Sequence, residues 1–178
     1  MIITISGKQG AGKTSVGKEL AKILNYKFLS IGDLRGIIAK ERGLTIDELN
    51  KIGERELWVH EEADKKTIEI GKKENNFVVE GWAAFHFIPK SVKIFLEVNE
   101  NVAAERIFKN QRLDEKRQNS LLDMKRLLKE RLIKTDEQFK KYYQINFLDK
   151  KNFDVIIDTT DLTVRETTDK VLGEIKAK

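Results

Sequence analysis

The residues best suited to chemistry form one run near the start of the chain. Gly7-Lys-Gln-Gly-Ala-Gly-Lys-Thr14 fits the spacing G-x-x-x-x-G-K-[ST] in full. Glycines at such spacing let backbone N–H groups turn inward around phosphate oxygens. A helix opening at Lys13 would aim its positive end at the same anion. Lys13 then supplies a cation between the β- and γ-phosphates, and Thr14 offers its hydroxyl to Mg²⁺. Gly7, Lys8, Gln9, Gly10, Ala11, Gly12, Lys13, Thr14 and Ser15 are therefore the candidate ATP-binding stretch. The competing reading, a glycine-rich turn that holds nothing, fits poorly with a run lying between a strand pattern and a helix pattern. A second candidate is Glu80, at the end of the apolar run FVVE. Ligands of doubly wound sheets lie beyond the carboxyl ends of strands, so a carboxylate there suits Mg²⁺, held through water. Its bland alternative is a helix cap or a surface glutamate.

The elements that must carry these residues follow from periodicity. Short apolar runs at 2–6, 27–30, 77–81, 92–98 and 154–158 read as strands. Helical patterns follow Lys13, with Val16, Leu20, Ile23 and Leu24 on one face, and continue over 31–43, from Thr45, over 57–73 and over 100–110. Thr45/Glu48 reads as a capping box, as do Ser120/Asp123 and Thr163/Glu166. From Ser120 a long helix is expected to reach about Tyr143, with Leu121, Leu128, Leu132 and Phe139 inward. Val171 and Ile175 are the expected inward positions of a last helix. Short apolar strands separated by helices imply a parallel sheet with both faces covered, in one domain over 1–178.

Composition narrows the function classes. The 178 residues are 40% hydrophobic and 35% charged, with a net charge of +5, a globular rather than disordered balance. Basic residues are interspersed with acidic ones, which suits a solvated surface, so nucleic acid is not an expected partner. No apolar run approaches membrane-spanning length, and the opening MIITISG lacks the pattern of a cleaved leader. The absence of cysteine excludes disulfides and thiolate metal sites. A cytoplasmic monomer is the expectation.

The phosphate loop, the segment SIGDLRGIIAKERG (30–43), the Glu80-Gly81 strand end and an arginine-bearing charged loop before a long helix together resemble nucleoside monophosphate kinases, and among them the small archaeal-type cytidylate kinases. The resemblance implies an α/β three-layer P-loop kinase fold with a five-stranded parallel sheet in the order 2-3-1-4-5. It implies a helical acceptor-binding insertion over about 31–73 and a lid over about 111–119. It also implies transfer from ATP–Mg²⁺ to a nucleoside monophosphate, with CMP or dCMP the first expectation. By that resemblance Arg106 lies against adenine, and Arg112 and Arg117 on the lid, with Arg131 on the long helix, surround the transferring group. Lys13, Arg112 and Arg131 are the catalytic candidates, and Thr14 and Glu80 the metal candidates. On the acceptor side stand Ser30, Gly32, Asp33, Arg35 as the phosphate grip, Asp64 facing base or ribose, Gly81 and Trp82.

The sequence departs from that family pattern at the acceptor end. Gly36, Trp82 and Gln138 stand where the related kinases tend to carry arginine, and His60 where an acid is common. Arg55 or Lys65 are candidate substitutes for the missing cations. Trp82, Phe85, His86 and Phe87 form an aromatic group that either stacks on a base or packs a corner. The two histidines would hold a metal only if they converge in space. A kinase for another small molecule, and an ATP-binding switch or assembly factor with weak hydrolysis, are the alternative functions.

Overall fold

The computed structural model of the protein describes residues 1–111 and 115–176. Five strands, β1 (Ile2–Gly7), β2 (Lys27–Ser30), β3 (Phe77–Glu80), β4 (Val92–Glu97) and β5 (Val155–Asp158), form one sheet. Its order is β2-β3-β1-β4-β5, and every pairing is parallel, as expected from the sequence. β1 and β3 are buried almost throughout, which a parallel sheet covered on both faces requires.

Helix α1 (Lys13–Leu24) returns from β1, packs on β3 and meets α8 (Val164–Lys176). Its inward Val16 and Leu20 join Ile3, Ile5, Val78, Ile94, Leu96 and Val171 in the main core. Between β2 and β3 lie α2 (Ile31–Glu41), α3 (Ile46–Gly53) and α4 (Trp58–Lys73). These three helices share a second cluster centred on Ile38, Leu49, Val59 and Ala63. Both halves of the Thr45/Glu48 capping box form, which fixes where α3 begins. Ser120 caps α7 (Leu121–Tyr143) by accepting from the Asp123 amide, and Asn99 caps α6 (Glu100–Lys109).

Two elements differ from the sequence expectation. A short helix α5 (Ala84–Phe87) and a 3₁₀ turn at Lys150–Asn152 were not legible, because three or four residues are too few for a helical period to register. In α7 only Met124 is fully buried, and Leu121, Leu128, Leu132 and Phe139 are half-buried. The reason is placement: Met124, Leu127, Leu128, Arg131 and Gln138 line a cleft instead of covering the sheet.

Two glycines show what the topology demands of β1 and its loop. Gly7 has φ of 141°, and a Cβ there would lie 2.2 Å from the Leu96 carbonyl oxygen of the neighbouring strand. Gly10, at φ 77°, would place a Cβ 2.7 Å from Cα of Ala103. Both contacts are with backbone, which has little room to give. Gly7→Ala is expected to cost about 3 kcal/mol or more, a fall in Tm of about 6 °C or more. Gly173→Ala, on an open helix surface with nothing within 4 Å, is expected instead to stabilise by about 0.5–1 kcal/mol. Thermal unfolding of both variants checks the pair.

Candidate active site

The carboxyl ends of β1, β2 and β3 converge because the strands are parallel and in register. Ser30 of β2 stands opposite Glu80 of β3, which stands opposite Ile5 of β1. Neighbouring strands lie about 4.8 Å apart, so side chains at these ends meet across the sheet edge. Ser30 Oγ–H donates to Glu80 Oε2 at 2.8 Å, and Thr14 Oγ1–H donates to the same oxygen at 3.3 Å. Ser30 also accepts the Asp33 amide at 3.2 Å, so one hydroxyl caps α2 and fixes the carboxylate. Ser6 Oγ–H donates to the Gly81 carbonyl at 3.0 Å, which sets the backbone directly after Glu80.

Lys13 lies at the centre of this edge. Only 8% of it is exposed. Its ammonium donates to the Lys8 carbonyl at 2.9 Å and sits 5.6 Å from the centroid of the Trp82 ring. Burial lowers its pKa, and the charge of Glu80 acts the other way. A hydroxyl has one hydrogen and two lone pairs. With its hydrogen turned to Glu80, Thr14 keeps oxygen lone pairs for a cation, and Glu80 supplies a second hard oxygen, a donor set that suits Mg²⁺. Among the described residues no group of three or more His, Cys, Asp or Glu could hold a metal ion. A cation here therefore needs phosphate oxygens and water to complete its shell.

A cleft of about 460 Å³ runs from this edge towards α2–α4 under α7. Gln9, Gly10, Lys13, Thr14, Ser30, Gly32, Arg35, Asp64, Glu80, Gly81, Trp82 and Arg131 line it. Twelve of the residues expected from the sequence thus share one cavity. Asp33 does not line it; it is exposed in the first turn of α2. Arg112 lies outside the described residues, and Arg117 is exposed away from the lining. Arg55 and Lys65 do not replace the missing cations: both are exposed, and Lys65 pairs with Glu61 at 3.5 Å. His60 and His86 make separate contacts and form no metal group among the described residues.

Arg106 is held differently from the simple expectation. Its guanidinium donates to the carbonyls of Thr159, Thr160 and Leu162 at 2.8, 3.1 and 3.3 Å, and to that of Gly10 at 3.3 Å. It ties the phosphate loop to the loop after β5, and what it can offer a base is its flat face. Thr159 Oγ1, at hydrogen-bond distance from the Ala11 and Glu97 carbonyls, completes the tie. No motif marks Thr159, which is why the sequence did not give it up.

At the far end, Arg35 donates from Nη2 to Asn50 Oδ1 at 2.9 Å and from Nη1 to His60 Nδ1 at 3.1 Å. Asp64 accepts the hydroxyl hydrogen of Tyr143. Burial raises the Asp64 carboxyl to about 6, against the opposing effects of the Tyr143 hydrogen bond and the Arg35 charge. Above the cleft, Arg131 pairs with Glu115 at 2.6 Å and with Asp47 of α3 at 3.5 Å, and the Lys116 amide donates to Asp47 at 3.4 Å. The segment before α7 is thereby pinned to α3. Trp82 packs on the fully buried Phe147, with centroids 5.0 Å apart, so it is both a corner residue and part of the cleft wall.

Residues 2–161 match the Cytidylate kinase-like family. The chain belongs to that family. It is 30% identical to the cytidylate kinase of Methanocella arvoryzae over 99% of both chains. It is also 34% identical to an S-adenosylmethionine-dependent nucleotide dehydratase of Lacinutrix mariniflava, over 96% of this chain but 35% of that protein. Shikimate kinase from Acinetobacter baumannii superposes with a TM-score of 0.64 at 18% identity, covering 99% of this chain and 93% of that one, a likeness of fold. The family, the fold and the phosphotransferase class expected from the sequence are borne out. No helix among the described residues is long and apolar enough to cross a membrane.

Asp64 makes the site sensitive to pH. Its folded pKa lies above the unfolded value, so its contribution to stability is full below about pH 4 and is lost as pH rises through about 6. Two units correspond to about 3 kcal/mol, reduced by partial exposure. The stability of the wild type relative to Asp64→Asn should therefore fall by about 1–2 kcal/mol between pH 4 and pH 7.5, as read from denaturant unfolding.

Proposed function

We propose that the protein transfers the γ-phosphoryl group of ATP to a nucleoside monophosphate, with CMP or dCMP as the preferred acceptor. The observation that carries this reading is the single cleft in which Glu80 joins the phosphate loop, through Thr14, to the acceptor side, through Ser30. The family match and the cytidylate kinase relative support the cytidine acceptor.

The residues divide the work. The loop amides of Gly7–Ser15 and the Lys13 ammonium hold the donor phosphates. Thr14 and Glu80 hold Mg²⁺, which when bound neutralises phosphate charge. Arg35 grips the acceptor phosphate, with Gly32, Gly81 and Trp82 shaping the wall. An oxygen of the acceptor phosphate bonds to the γ-phosphorus, the bond to the β–γ bridging oxygen breaks, and ADP leaves with that electron pair. The attacking oxygen is already anionic, so no general base is needed. Arg131 exchanges its carboxylate partners for the transferring group. Partly exposed ion pairs are worth about 0–1 kcal/mol, so the exchange is cheap. Residues 111–119, with Arg112 on them, close as a lid and exclude water, α2–α4 form the acceptor-binding arm, and the single domain works as a cytoplasmic monomer.

A second reading has its own observation. The region similar to this chain makes up about a third of a nucleotide dehydratase. We propose on that ground that the phosphorylated product is a nucleotide of the kind such an enzyme takes.

ADP release from Mg–ATP, with each common ribo- and deoxynucleoside monophosphate, tests the function. Strong stimulation by CMP or dCMP is expected, and Lys13→Ala should abolish it. Arg131→Ala should lower kcat more than it raises the acceptor KM. Stimulation by another nucleotide alone would change the acceptor. No stimulation by any would overturn the reading in favour of another small acceptor or a nucleotide-dependent switch.

A further inference from the structure

We infer that His60 and Asn50 are positioning residues for Arg35: two neutral acceptors fix its guanidinium in the cleft, where a carboxylate partner would form an ion pair and compete with an acceptor phosphate. The inference rests on the kinase reading above and adds to it what prepares the acceptor-side grip.

The hydrogen-bond roles are fixed by chemistry. A guanidinium only donates and a carbonyl only accepts. His60 Nδ1, 3.1 Å from Arg35 Nη1, must therefore be the bare nitrogen, and Nε2–H donates to the Gly53 carbonyl at 3.1 Å. Gly53 permits this approach because it has no side chain; a Cβ there would lie 3.0 Å from His60 Nε2. The imidazole is buried and its ring lies 5.4 Å from that of Tyr142, so it cannot swing to another partner without repacking. Asn50 holds the other terminal nitrogen from α3. Arg35 is thus clamped between α3 and α4 at two of its five donors, with the rest left for a phosphate fork.

The choice of partners matters more than their number. Arg42 pairs with Glu62 at 2.9 Å, Arg131 with Glu115 at 2.6 Å and Arg165 with Asp169 at 3.1 Å. Each of those arginines is offset by an acid. The partners of Arg35 are an imidazole and an amide. The nearby acid, Asp64, acts on Arg35 through its charge, but the hydrogen bond its carboxylate accepts comes from the Tyr143 hydroxyl. An aspartate or glutamate in place of Asn50 or His60 would orient Arg35 as well but would cancel the charge that a dianionic phosphate needs. His60 stays neutral beside this cation, since burial first and the Arg35 charge second lower its pKa to about 4, against the Gly53 hydrogen bond.

Steady-state kinetics on three variants separate orientation, charge and plain structure. His60→Phe, which removes the acceptor, should raise the acceptor KM about tenfold, the worth of one charge-assisted hydrogen bond, with the KM for ATP unchanged. His60→Asn, which restores an acceptor near the Nδ1 position while losing the Gly53 bond, should recover to within about threefold of wild type. Asn50→Asp, on the exposed face of α3, keeps the geometry and should still raise the acceptor KM about tenfold. Equal defects in both His60 variants would assign His60 a structural role and overturn the inference, as would wild-type acceptor KM in Asn50→Asp. The imidazole ¹⁵N spectrum gives a readout that does not need turnover. Nδ1 of His60 should be unprotonated at neutral pH, and inorganic phosphate should shift it in wild type and not in Arg35→Gln. A protonated Nδ1, or no response to phosphate, would sink the inference even with the kinase activity intact. Should no nucleoside monophosphate be phosphorylated while these shifts appear, the failure lies with the function and not with the clamp.

Discussion

The arrangement depends on where one carboxylate stands. Glu80 ends a central strand, buried beside Lys13, and accepts hydroxyls from Thr14 on one side and Ser30 on the other. A buried charge is costly unless paired and hydrogen-bonded. Here the partners that satisfy it are the first turn of α1, which follows the glycine-rich loop, and the cap of α2, which begins the α2–α4 insertion. The need to satisfy one carboxylate therefore sets the relative position of the glycine-rich loop and the α2–α4 insertion, the two sides proposed to hold donor and acceptor. Parallel register, with Ser30, Glu80 and Ile5 abreast, is what brings them within reach.

Charge is distributed unevenly along the cleft. At the end proposed for the donor stands the buried Lys13 beside the glycine-rich loop. At the roof, Arg131 is held by acids on both the segment before α7 and α3, contacts that phosphate can displace. At the end proposed for the acceptor, Arg35 has neutral hydrogen-bond partners. This gradient follows what phosphoryl transfer demands: positioning and charge neutralisation more than covalent help.

Much of the fold was legible because long periodic elements and caps announce themselves. The P-loop spacing, the FVVE strand end and the capping boxes fixed β1, α1, β3, α3 and α7. The four-residue α5 did not, because it is shorter than the period that would reveal it. Motif-bearing site residues, Lys13, Thr14, Glu80 and Arg35, were also readable. Asn50, Thr159 and the exact neighbours of Arg131 were not, since they act through tertiary contacts 15, 53 and 84 residues away along the chain. Arg55 and Lys65 illustrate the converse: type and proximity in sequence suggested cations for the cleft, but Arg55 is exposed in the turn between α3 and α4 and Lys65 lies on the exposed face of α4. In α2 the cleft is lined by Gly32 and Arg35, while Asp33 between them is exposed.

The Mg²⁺ dependence of turnover by Glu80→Gln, set against wild type, tests the central claim most directly. Glutamine keeps the size and the hydrogen-bonding oxygen but removes the charge. The account predicts that the Mg²⁺ concentration for half-maximal rate rises about tenfold or more, with metal-free nucleotide binding unchanged. An unaltered Mg²⁺ requirement would contradict it and leave Glu80 as a purely structural link between α1 and α2.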